Sequence, residues 1–181
     1  MATQAVKVLV KRNVALVLGF QGTRYHGLQM APQPGISTIE AAVHGALHAA
    51  GAISDCNNGD RNKIKWSSAS RTDKGVHAAA CVCTAKLLVT LAEDGNVLPS
   101  SVEFWNSKLP SDIRILAVLR APKNGRAHAI CSRREYEYLL PKAALCGRFL
   151  VFLAVSSCLT HVFLFSSRLF PYETCVLVAQ L

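Results

Sequence analysis

The chain has 181 residues, an apolar fraction of 51%, and 20 Lys+Arg against 11 Asp+Glu, for a net charge of +9. That is enough chain for one domain with a real core. The basic excess suits a polyanionic partner, although solubility alone also accounts for it. Its seven cysteines form no Cys-x-x-Cys pair, which excludes a zinc ribbon and a thioredoxin-like site and favours reduced thiols in an intracellular compartment.

The first acidic residue is Glu40, and Lys7, Lys11 and Arg12 make the N-terminus basic. This is only a weak likeness to an organelle-targeting segment, and Val8-Leu9-Val10 is too brief for a secretory signal. Val14 to Phe20 is a continuous apolar run that predicts a buried strand. The turn that follows holds Arg24, Tyr25 and His26 between Gly22 and Gly27. Its glycines suggest a phosphate cradle or a plain hairpin loop; without Gly-Lys-Ser/Thr it is no nucleotide-binding P-loop, and RNA contact is the functional alternative.

Ser37-Thr38-Ile39-Glu40 has the form of a capping box. A helix is predicted after it, with Ile39, Ala42, Val43, Ala46, Leu47 and Ala50 on one face and Gly51 as its stop. Glu40, His44 and His48 recur at helical spacing and are expected on a solvated face rather than around a metal. Residues 55–62 read as a polar loop, and Lys63 to Ser70 as a strand. Ala79 to Ala85 is apolar and strand-compatible, with Cys81 and Cys83 expected as packed thiols. Pro99 opens a predicted helix through Trp105 to Lys108, Pro110 closes it, and Ile113 to Leu119 reads as a further strand. Strand, helix, strand, strand, helix, strand predicts an α+β layer of the ferredoxin-like kind.

Between the predicted strands lies Arg71-Thr72-Asp73-Lys74-Gly75-Val76-His77-Ala78. It places a carboxylate, Asp73, in a basic loop whose glycine permits a turn or a close approach to a ligand. Arg71 is expected to pair with Asp73 and hold it ionised, the alternative being a solvated surface arginine. Lys74 and His77 are candidate phosphate contacts or plain exposed polar residues. Farther on, Tyr136 and Tyr138 stand two apart on a strand-like segment and share a face. Sheet packing is the ordinary reading of both.

Three segments together resemble the TruA-type tRNA pseudouridine synthases, in the form of their eukaryotic branch. They are Ser70 to Ala78, the glycine-rich stretch Gly19 to Gln29, and Arg134-Glu135-Tyr136-Glu137-Tyr138-Leu139-Leu140-Pro141. The resemblance runs from about Arg12 to Pro141. It implies that Asp73 is the nucleophile on a target uridine, at the ribose C1′ or the base C6. It also implies that Tyr136 stacks on the extracted base, that Arg134 matches the family's arginine, and that Arg24, Lys74, His77 and Arg134 are candidate RNA contacts. No metal or organic cofactor is implied, and the partner would be tRNA, met in the nucleus, mitochondrion or cytoplasm, with a homodimer possible for a complete form. The implied fold sets two ferredoxin-like halves around a cleft. The chain carries one of them, residues 13–141, after an extension of residues 1–12.

Two departures are visible. Gly125-Arg126-Ala127-His128 stands where the family has Phe-x-Ala-Lys/Arg, and nothing after Pro141 resembles the family's second half with its basic partner for the aspartate. Residues 142–181 read as a hydrophobic tail in which only Lys142, Arg148, Arg168 and Glu173 are charged. Phe149 to Phe165 is uncharged but falls short of the roughly 20 residues of a membrane span, and its centre is polar, so no membrane anchor is expected. A chain of this make-up is expected to be a tRNA pseudouridine synthase in incomplete form, inactive and poorly soluble alone. The alternative is a catalytically silent RNA-binding fragment.

Overall fold

The structure is a computed structural model that describes residues 9–33, 35–139 and 174–180. The fold is α+β. Four antiparallel strands, β1 (Leu9–Phe20), β2 (Ser67–Ser68), β3 (His77–Thr90) and β4 (Ile113–Arg120), run in the order β4-β1-β3-β2. Helix α1 (Ile39–Ala49) links β1 to β2, and α2 (Pro99–Lys108) links β3 to β4. The short α3 (Ala127–Ile130) precedes β5 (Arg133–Leu139). Thr174–Gln180, within the segment set apart in the sequence, forms β6, parallel to β3 and antiparallel to β5. The run from Phe149 to Phe165 lies outside the described residues. Among those described, no helix is long and apolar enough to cross a membrane.

Alternation decides the faces. Val14, Leu16, Leu18 and Phe20 of β1 and Cys81, Cys83, Ala85, Leu87 and Val89 of β3 point into one core. There they meet Ile39, Val43 and Leu47 of α1 and Trp105 of α2. Cys81 and Cys83 are buried free thiols on that face. The opposite face is thinner: Ala15, Ala69, Val82 and Ala127 form a small second cluster under α3. Because β1 pairs antiparallel with both neighbours, Phe20 lies opposite Ala78 and Ile113. One end of the sheet therefore collects the loop after β1, the loop before β3 and the start of β4.

Three local expectations need correction. β1 begins at Leu9 rather than Val14, although its buried part starts only at Asn13. Lys63 to Ser70 is not a continuous strand. Turns occupy residues 61–65, with Lys65 N–H donating to the Asn62 carbonyl and Trp66 N–H to that of Arg61, and only Ser67–Ser68 pair with β3. Ile64 is buried through this turn, which satisfied the apolar pattern without a sheet.

The third correction is Glu40. Thr38, not Ser37, caps α1, its hydroxyl accepting from Ala41 N–H at 3.3 Å. The one-residue shift removes Glu40 from any capping role and turns it inward, 1% exposed, with His44 buried beside it. Its carboxylate accepts from Met30 N–H at 2.9 Å and Trp66 Nε1–H at 2.9 Å, and pairs with Arg61 at 3.1 Å. This one acid ties α1 to the loop after β1 and to the turn before β2. Burial and the neighbouring His48 keep the His44 imidazole below its ordinary pKa, and His48 instead reaches Asp55 at 2.9 Å on the surface. Replacing Glu40 by Ala is expected to cost about 3–5 kcal/mol, since Arg61 and the Trp66 N–H lose their acceptor in a closed interior. Glu40→Gln should cost less, because the amide oxygen still accepts. Urea unfolding of the two variants checks the order.

Candidate active site

The end of the sheet at Phe20, His77 and Ile113 carries the site. Asp73 opens a four-residue turn in which Val76 N–H donates to the Asp73 carbonyl at 3.3 Å. Gly75 occupies the third position with φ +82°, a value that type II geometry demands and glycine adopts without strain. Chain direction thus reverses over Asp73-Lys74-Gly75-Val76 and leads directly into β3.

This turn is docked backbone to backbone on the glycine-rich loop after β1. Leu28 N–H donates to the Thr72 carbonyl at 3.2 Å, and Gly75 N–H to the Tyr25 carbonyl at 3.2 Å. The contact is close enough that a Cβ on Gly22 would stand 1.9 Å from the Val76 carbonyl oxygen. One on Gly27, whose φ is +94°, would stand 2.4 Å from that of Thr72. The same loop closes the start of α1, its Gly27 and Leu28 carbonyls accepting from Ile39 N–H at 3.2 Å and Glu40 N–H at 2.9 Å. Gly22 and Gly27 therefore serve a loop-to-loop contact, which accounts for both glycines without a ligand.

Asp112, just before β4, holds the outer side of that loop. Its carboxylate accepts from Arg24 Nε and Nη2 at 3.0 and 2.7 Å and from Tyr25 Oη at 2.9 Å, while its carbonyl accepts from Gln21 N–H at 2.9 Å. Burial pushes the Asp112 pKa up, but the bonds from Arg24 and Tyr25 together outweigh it and leave the carboxyl below its ordinary range. Burial, then the bond to Asp112, pushes the Tyr25 phenol up to about 12. Arg24 remains 68% exposed while engaged this way. Nothing in the sequence flagged Asp112, because its partners lie almost ninety positions upstream.

On the other side, β5 braces the segment that enters the turn. Arg134 donates from Nε and Nη2 to the Ala69 carbonyl at 3.0 and 2.7 Å. Tyr136 packs against the main core, and its hydroxyl lies 3.5 Å from Ser70 Oγ. The side chain of Tyr138 lies outside the described residues. The predicted residues thus converge: Arg134 and Tyr136 reach Ala69 and Ser70, which lead straight to Arg71, Thr72 and Asp73.

Asp73, Arg71 and Lys74 are exposed, and His77 is half-buried at the first position of β3. No ion pair joins Arg71 to Asp73 among the described residues; the described pairs are Arg24–Asp112, His48–Asp55, Arg61–Glu40 and Arg133–Glu135. The expected Arg71–Asp73 contact is therefore not made here, and the Asp73 carboxylate faces solvent. No group of three or more His, Cys, Asp or Glu able to hold a metal occurs among the described residues.

No family model matches the chain. Individual relatives do. It is 42% identical to tRNA pseudouridine synthase 1 of Candida albicans over 135 residues, which are 75% of this chain and 21% of that protein. It is 44% identical to tRNA pseudouridine synthase 1 of Yarrowia lipolytica over 131 residues, covering 72% and 23%. For tRNA pseudouridine synthase 1 of Saccharomyces cerevisiae the identity is 42% over 139 residues, covering 77% and 24%. The chain therefore spans between a fifth and a quarter of the length of these curated relatives. Over three quarters of its own length, it is homologous to the tRNA pseudouridine synthase 1 proteins.

Proposed function

We propose that this chain forms the aspartate-bearing half of a tRNA pseudouridine synthase, a ferredoxin-like unit of a larger two-unit fold, with Asp73 as its nucleophile. The observation that carries the reading is the docked turn. Two backbone layers fix Asp73 at an open end of the sheet, with no group among the described residues engaging its carboxylate and with Tyr136 anchored to the segment that leads into it. In this reading Asp73 attacks the target uridine and the N1–C1′ bond breaks. The detached uracil turns against the Tyr136 ring and C5 bonds to C1′; the bond that Asp73 formed breaks and returns its carboxylate, the C5 proton passes to solvent, and N1 takes up a proton in its place. Arg71, which pairs with no carboxylate among the described residues, is positioned to meet Asp73 or the sugar once RNA fills the site. Lys74 and His77 take flanking phosphates. Arg24 offers its exposed edge, with Asp112 holding its orientation. Arg134 acts chiefly as a positioning residue through Ala69.

The test is a tRNA transcript labelled with tritium at uridine C5. Isomerisation releases that tritium to water, and release above an RNA-only control is the expected result for a polypeptide carrying these residues within the full length of the relatives. Absence of release across a pool of tRNAs would overturn the reading. A second reading, RNA binding without turnover, is favoured for the 181-residue chain alone by the solvent-facing Asp73. Catalysis needs that carboxylate shielded and held against the sugar. Here tRNA binding should persist, weaken steeply with salt, and be unaccompanied by release.

A further inference from the structure

We propose that Lys11, Lys65, Lys86 and Lys123 form a second phosphodiester-binding site at the far end of the sheet, which takes the backbone of a remote part of the same RNA. The proposal rests on the tRNA reading above and extends it. Lys86 lies nine positions along β3 from His77, which at the rise of an extended strand is roughly 30 Å.

Separate tethers assemble the cluster. Lys86 lies opposite Asn13 in the β1–β3 ladder, and Lys11 lies diagonally beside it on the same face. The buried Asn13 side chain donates to the Pro122 carbonyl at 2.6 Å and the Gly125 carbonyl at 3.0 Å. Both bonds hold the loop that carries Lys123. On the other side, Lys86 N–H donates to the Ile64 carbonyl at 2.7 Å, which sets Lys65 next to it.

Lys65 has φ +50° and is the only non-glycine with positive φ among the described residues. Glycine or asparagine is the ordinary occupant of such a position, so a lysine there sacrifices stability for its charge. The field of Lys65 is the largest influence on Lys86, joined by Lys11 and Lys123, and it drives the Lys86 pKa below its ordinary value. No carboxylate pairs with any of the four among the described residues. Like charges gathered without a counter-charge are relieved by a polyanion, and the cations a phosphate chain would release supply the driving force.

The test measures anisotropy of a fluorescent tRNA transcript against salt, using the 181-residue chain. For the double variant Lys86→Gln/Lys123→Gln, the slope of log affinity against log salt should fall by roughly 1.5 to 2, near one unit per lost phosphate contact. A short hairpin that cannot span the two sites should show no change. Lys65→Gly guards against misfolding: it should raise the melting temperature by relieving the positive φ while still lowering the tRNA slope. An unchanged slope in both variants would overturn the proposal. So would their loss of binding to phosphatidylserine vesicles alongside an unaltered tRNA slope, which would assign the patch to a membrane surface. Failure of the synthase reading looks different: the patch variants would still lower the slope, while no tritium release occurs in the full-length context.

Discussion

Replacing Asp73 by Asn is expected to abolish pseudouridine formation while leaving the fold and RNA affinity intact. The exposed carboxylate makes no hydrogen bond or ion pair with a described residue, so its loss strands no partner. Stability should stay within about 0.5 kcal/mol of the parent, as for surface substitutions away from structural contacts. The amide keeps the shape and the local turn, in which the Asp73 carbonyl rather than its side chain bonds Val76 N–H. What disappears is the proposed nucleophile, and turnover should fall by on the order of 10⁴-fold or more. Tritium release in the full-length context, beside a urea melt and a tRNA titration, separates the three quantities. Retained turnover would remove Asp73 from the chemistry. A large loss of stability would show that its carboxylate has a structural role the geometry does not give it.

The reach of the sequence differed between the fold and the site, for a physical reason. The continuous apolar run from Val14 to Phe20, the Pro99 helix start and the Pro110 stop are local signals, and each marked an element that is present, with β1 extended back to Leu9. Local signals failed where a long-range partner decided the outcome. Ile64 and Trp66 alternate like strand residues, yet Trp66 turns its indole N–H to Glu40, 26 positions upstream. Glu40 matched a capping box, but Thr38 took the cap and the acid went inside. At the site the pattern of residue types was legible, because Asp73, Tyr136 and Arg134 belong to short motifs. The relations among them were not. Arg71 was expected to meet Asp73 because the two stand two apart in sequence, but residues 71–73 belong to no strand or helix that fixes their side chains on one face, and the pair is not made. The motif that carries Arg134 gave no sign that its Nε and Nη2 donate to the Ala69 carbonyl.

Gly27→Ala and Gly22→Ala are expected to be the most damaging single changes outside the chemistry itself, because they separate the two loops that place Asp73. An alanine at position 27 would set its Cβ 2.4 Å from the Thr72 carbonyl oxygen, with φ at +94°. At position 22 the Cβ would meet the Val76 carbonyl oxygen at 1.9 Å. Both obstacles are backbone, which cannot rotate aside as a side chain can. The loops must move apart, giving up the Leu28–Thr72 and Gly75–Tyr25 hydrogen bonds. Steric insertion and the lost bonds together should cost about 3 kcal/mol in each variant. Position is more sensitive than stability: a carboxylate displaced by about 1 Å can lose on the order of 100-fold in rate. Two other glycines calibrate the effect. A Cβ on Gly75 meets no atom of the described residues within 4 Å, so Gly75→Ala carries only the strain of φ +82°, about 1–2 kcal/mol. Gly45, inside α1, is also unobstructed, and Gly45→Ala should stabilise the helix by about 0.5–1 kcal/mol. Urea unfolding of the four variants should therefore rank Gly45→Ala above the parent, Gly75→Ala below it, and Gly22→Ala and Gly27→Ala lowest. If the last two were as stable as Gly75→Ala and released tritium at the parental rate in the full-length context, the glycine loop would not be what fixes Asp73.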